Sequence, residues 1–154
     1  MNYCNHRMIR AVSGLDTTAK LDSKLAAFVN DIIFVGDSFF FKTLYDKSAR
    51  KNFSPDEFVN KTQHECFINQ FLMHDYTTEK LLLQALLFSD ALIEKWIGLN
   101  NGLTLQIIIG GEDYNLSVNA HILRVGDDEM VPKDNMQIYH HPMLLRRSGV
   151  DDQG

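Results

Sequence analysis

Cys66 stands among His64, Glu65, His74 and Asp75, the residue types of a thiol catalyst or a metal site. The spacing argues against both, because there is no C-x-x-C and no H-E-x-x-H. On a helix, positions 64 and 66 point about 200° apart, so those side chains diverge. Cys66 is therefore expected to be a buried core cysteine. Cys4-Asn5-His6 offers only weak chelation, and the remaining histidines are scattered. His140-His141 draws the eye, but neighbours on a strand face opposite sides of a sheet and do not share one metal. No catalytic set, metal or cofactor is expected.

Gly110-Gly111 has neither the G-x-G-x-x-G pattern nor the Lys-Ser/Thr of a P-loop, and the acids that follow would repel phosphate. It reads as a hairpin turn. Lys47, Arg50 and Lys51, with Lys61 nearby, suit a solvated helix end better than a nucleic acid. The acidic loops are Glu112 and Asp113, then Asp127, Asp128 and Glu129 with Asp134 beyond. They lack the D-x-D-x-D-G calcium loop, but acidic loops can engage a basic protein. The expected partner contacts are Asp127, Asp128, Glu129 and Asp134, in a 126–134 loop shaped by Gly126 and Pro132.

The elements that must hold these loops change character near Gly98. Before it, apolar residues recur at helical spacing. Leu21, Leu25, Phe28, Ile32 and Val35 predict one helix stopped by Gly36, and Asp37 or Ser38 can cap a short second helix through Tyr45, unless one kinked helix runs throughout. Ser54-Pro55-Asp56-Glu57 is a capping box and predicts a third helix to about Met73, with Phe58, Val59, Cys66, Phe67 and Phe71 offered to the core. A fourth begins near Thr77 or Thr78 and stops at Gly98, apolar around much of its circumference. Residues 1–15 are a short strand or an irregular arm.

After Gly98 the apolar residues alternate. Strands are predicted over 103–109 and 114–125, with a third within 136–145 that Pro142 ends or pushes to an edge. The expected fold is α+β, about four helices packed on one face of a three-stranded antiparallel meander. Residues 1–154 read as one domain, helical over 1–98 and strand-forming over 99–147, with a frayed tail at 148–154. In a meander a strand of twelve residues spans roughly 40 Å, so the two acidic loops would lie at opposite ends.

The chain has 154 residues and a net charge of −5, with two cysteines, too few for a disulfide framework. Residues 1–98 carry 11 Lys and Arg against 12 Asp and Glu; residues 99–154 carry 4 against 8. The negative balance argues against direct binding of nucleic acid or anionic membrane. Arg7, Arg10, Asp16 and Lys20 break any signal-peptide core, and no apolar run reaches a membrane span, so a cytoplasmic protein is expected. Three functional classes follow. The first is an acidic binder that neutralises or regulates a basic protein, of the immunity or antitoxin kind that blocks a nuclease toxin. The second is a self-associating scaffold or homo-oligomer. The third is an enzyme with a dispersed site drawn from Cys66, His74, Asp75 and the 140–141 pair.

Overall fold

A computed structural model describes residues 2–149 except 17, 52, 53, 128 and 129. The fold is α+β. Strand β1 (Asn2–Cys4) leads to helices α1 (His6–Val12) and α2 (Ser23–Asn30), then to a hairpin of β2 (Ile32–Val35) and β3 (Ser38–Phe41). Helices α3 (Lys42–Arg50) and α4 (Lys61–Ile68), strand β4 (Phe71–Leu72) and the long helix α5 (Leu81–Leu99) follow. Strands β5 (Leu105–Gly110), β6 (Ser117–Ile122) and β7 (Met143–Arg147) finish the chain. The main sheet has five antiparallel-paired strands in the order β1-β7-β5-β6-β4, rather than three.

The sheet is not a meander. Both β6 and β7 pair with β5, Ile122 opposite Leu105 and Met143 opposite Gly110, so they run parallel to each other on its two sides. The 123–142 connection therefore crosses the sheet from its Leu105 end to its Gly110 end. The third strand begins only after Pro142 and lies inside the sheet between β1 and β5. Pro142 stands one residue outside the ladder, where its missing N–H costs no strand pairing.

The helical half departs from its periodicity at three places. The stripe from Leu21 to Val35 is split, because α2 ends at Asn30 and the β-branched and aromatic run Ile32–Val35 pairs with β3. Gly36, at φ 59°, turns this hairpin instead of ending a helix. The capping box forms, but it closes only a single 3-10 turn at Pro55–Glu57. Asn60 caps α4 afresh by accepting from the Gln63 N–H at 2.8 Å, and α4 stops before Phe71, which enters β4. Val59 and Phe67, expected inside, are exposed. Helix α5 runs past Gly98 to an Asn100 cap in the left-handed region at φ 48°. At the other end of the chain Ser148 is buried, accepting at 2.8 Å from the Leu105 N–H, so the expected fraying does not begin there.

One sheet face carries Leu105, Ile107, Ile109, Val118, Ala120 and Ile122 against α2, α5 and the hairpin. Phe28, Phe41, Phe71 and Phe88 interlock there, with ring centroids 5.2–6.1 Å apart among the contacting pairs. The other face is not left open. Ile108, Met143 and Leu145 pack under Val131 and Met136 of the crossover connection.

Candidate functional site

The turn between β5 and β6 is forced by its glycines and pinned by its surroundings. Gly111 has φ 103°, and a Cβ there would lie 2.4 Å from the Asn115 carbonyl oxygen, so only glycine fits. Its N–H donates to the Pro142 carbonyl at 3.0 Å, which ties the turn to the end of the crossover. The N–H groups of Asn115 and Leu116 donate back to the carbonyls of Glu112 and Asp113 at 2.9 and 3.1 Å. Asp113 is held at φ 49°, a conformation that Asp and Asn tolerate better than most residues. Glu112, Asp113 and Tyr114 all project outward, and Tyr114 is 74% exposed.

Concave surface lies on every side of this turn. A cavity of about 470 Å³ on the second sheet face is bordered by Cys66 and Gln70 of the α4 end, by Glu112, and by Met130 and Val131 of the crossover. A second, of about 370 Å³, lies between Glu112, Asp113, Leu82 and Pro142. A third, of about 490 Å³, is bounded by His74, Thr77, Asp113 and Tyr114. The Tyr114 ring stands edge-on to His74 at 5.5 Å, and His74 lies 3.3 Å from Asp75.

The crossover alters where the acidic loops lie. The sheet is no meander, and the apolar 130–131 segment borders one cavity with Glu112, whereas Asp127 borders a separate one with Thr62, Gln106 and Arg147. Within the predicted contact loop, Asp127 is half-buried and accepts from the Thr62 hydroxyl at 2.5 Å. Asp134 is exposed in the 3-10 segment Lys133–Ile138. Asp128 and Glu129 lie outside the described residues. Tyr114 was hidden in the sequence because it continues the alternation of β6; its place directly after Gly-Gly-Glu-Asp was the available signal.

The candidate catalytic groups do not assemble. Cys66 and His141 border the same cavity, but burial pushes the thiol up to about 12, which disfavours the thiolate near neutral pH. His74 borders a different cavity, with Asp75 3.3 Å from it, and His140 is exposed. Among the described residues no group of three or more His, Cys, Asp and Glu is placed to hold a metal, and no helix is long and apolar enough to cross a membrane.

Beside the cavities, α4 carries a buried polar network. Glu65 is fully buried, pairs with Arg124, and accepts from the N–H groups of Ile122 at 2.6 Å and Phe39 at 3.3 Å. Burial raises its carboxyl above the usual range, while Arg124 and the two N–H donors pull it back.

A family model described as "Uncharacterized protein PM0498 family" matches residues 3–151. No curated protein and no solved structure matches the chain.

Proposed function

We propose that this chain, which belongs to the PM0498 family, is a small acidic cytoplasmic binding protein that neutralises or regulates a basic protein partner. An immunity or antitoxin protein that blocks a nuclease toxin is the form of that role best suited to its charge. The observation that carries this reading is the rigid turn bearing Glu112, Asp113 and Tyr114 between three concave surfaces. An exposed tyrosine beside two carboxylates pairs an aromatic anchor with charges that steer a cationic surface. A nuclease cleft is such a surface, because it holds a polyanion. Asp134, exposed on the crossover, belongs to the proposed contact as a second acidic position. A raised thiol pKa at Cys66 favours a binder over a thiol enzyme.

The test is affinity capture of the partner with the tagged chain, followed by titration at increasing salt. The partner is expected to bind through a basic surface, to weaken as salt rises, and to lose about thirtyfold in affinity on Tyr114→Ala, as a central aromatic contact does. Glu112→Gln with Asp113→Asn should slow association while preserving the backbone at 113. If capture yields a partner whose affinity ignores both variants, the proposal is wrong.

A second reading, self-association, is favoured by β2. Among the described residues it pairs with β3 alone, and its Phe34 and Val35 are 46% and 44% exposed. An uncharged apolar edge of this kind offers its free ladder side to another strand.

A further inference from the structure

We infer that the cavity on the second sheet face receives a guanidinium or ammonium group on an aliphatic stem, supplied by a basic side chain of the partner. The inference rests on the partner reading above and names the chemistry by which that partner is held.

Three features give the cavity a negative potential. Glu112 lines it, and among the described residues no Lys or Arg does. Cys66 and Gln70 bring the carbonyl end of α4 to its wall, where the helix dipole favours a cation. Its amide and hydroxyl groups have acceptor capacity to spare. Asn119 donates its Nδ2–H to the Cys66 carbonyl at 2.7 Å, while its Oδ1 is buried with no hydrogen-bond partner among the described residues. Ser117 spends its proton on a long 3.4 Å bond to the Gly110 carbonyl, leaving its oxygen lone pairs to accept.

An anion would meet the Glu112 carboxylate and the carbonyl end of α4, which disfavour it even though His141 also lines the cavity. A bare metal ion is disfavoured as well, because much of the wall is apolar. Ile108, Met130, Val131 and Met143 supply a surface against which a methylene stem packs while its charged head reaches the polar groups. Glycine makes the room. A Cβ on Gly110 would lie 2.4 Å from the Met143 sulfur, so a larger residue would push Met143 out of place. At about 470 Å³ the space exceeds one side chain and admits the stem with its flanking backbone. The third cavity differs, because Leu81 brings the positive end of α5 to its wall.

The test titrates the full chain, 15N-labelled, with N-acetyl-arginine methylamide and with its neutral isostere N-acetyl-citrulline methylamide. The arginine derivative is expected to give saturable shifts at the amides of Gly110, Gly111, Ser117 and Asn119. The citrulline derivative should bind about tenfold more weakly, the size of one charge-assisted hydrogen bond. Glu112→Gln, an exposed change that leaves the core alone, should weaken the arginine derivative several-fold and leave the citrulline derivative unmoved. Equal affinity for the two probes, or arginine shifts that avoid these residues, overturns the inference. The parent reading fails separately. A partner whose affinity ignores both Tyr114→Ala and the Glu112→Gln, Asp113→Asn pair sinks that reading whatever the probes do, whereas a partner that depends on them with no arginine shift in the cavity sinks only the inference.

Discussion

Glu65 is the hub of the polar network on α4. Its carboxylate satisfies the Arg124 guanidinium and two backbone N–H groups at once. Glu65→Ala would leave a half-buried cation and two orphaned donors, and is expected to cost roughly 3–5 kcal/mol in urea unfolding. His121 shows the same economy. The Ile122 carbonyl can only accept, so the 3.0 Å contact puts the proton on Nδ1, and Nε2 accepts from the Gln106 amide at 3.0 Å. Burial lowers the pKa of His121, and it lowers that of His64, which stacks on Phe58 with centroids 4.7 Å apart. Both rings are neutral in the fold and gain a proton more readily when unfolded. Their stabilisation is therefore complete above the ordinary histidine value of about 6.5 and falls away as pH drops through the lowered folded values. The urea midpoint should decline over that window, with a shallower slope in His121→Gln. Glu65, raised by burial, has the opposite sign and loses stability as pH rises above 4.5, so the comparison with His121→Gln isolates the histidine.

At the scale of elements, α4 does the work of a missing strand. Among the described residues the second half of β6 has no strand beside it on that side, because β4 pairs with Val118 and Ser117 alone. Glu65 and Asn69, four residues apart, fill the gap. Asn69 accepts from the Phe41 N–H at 3.0 Å and donates to the carbonyls of Phe39 and Ala120 at 3.0 and 3.1 Å. Asn69→Ala orphans three buried backbone groups and is expected to cost about 3 kcal/mol or more. Hydrogen exchange should then speed at the amide of Phe41 ahead of the β5 amides, and uniform acceleration across both would refute this account. None of the bridging was legible beforehand, because a side chain standing in for a ladder leaves no periodicity. The α5 helix and the β5–β6 hairpin were legible, since Leu82, Ala85, Ser89, Leu92 and Trp96 keep helical spacing and Ile107 and Ile109 alternate. The β2–β3 hairpin was masked because Leu25, Phe28, Ile32 and Val35 mimic one helical stripe across two elements. The acids of the candidate site were visible as charge in turns. The approach of the 130–131 segment to Glu112 at one cavity was not, because it depends on a crossover that loop length alone does not reveal.

The whole molecule presents two faces of opposite character, an acidic turn among cavities and the uncharged β2 edge. If that edge drives assembly, sedimentation should show a mass that rises with concentration, and Phe34→Lys should return it to a monomer; a monomer at every concentration would dismiss the second reading. The strand order has a further consequence. Strand β7 fills the place between β1 and β5, so residues near opposite ends of the chain, Asn2 and Arg146, are partners. While a ribosome is still making residues 123–142, β1 has no neighbour and β5 has only β6. The nascent protein cannot close its sheet until the last strand emerges, and pairing at such separation makes for slow folding. Until then two strand edges stand open, and the interval is one in which a chaperone, or the partner itself, would find them.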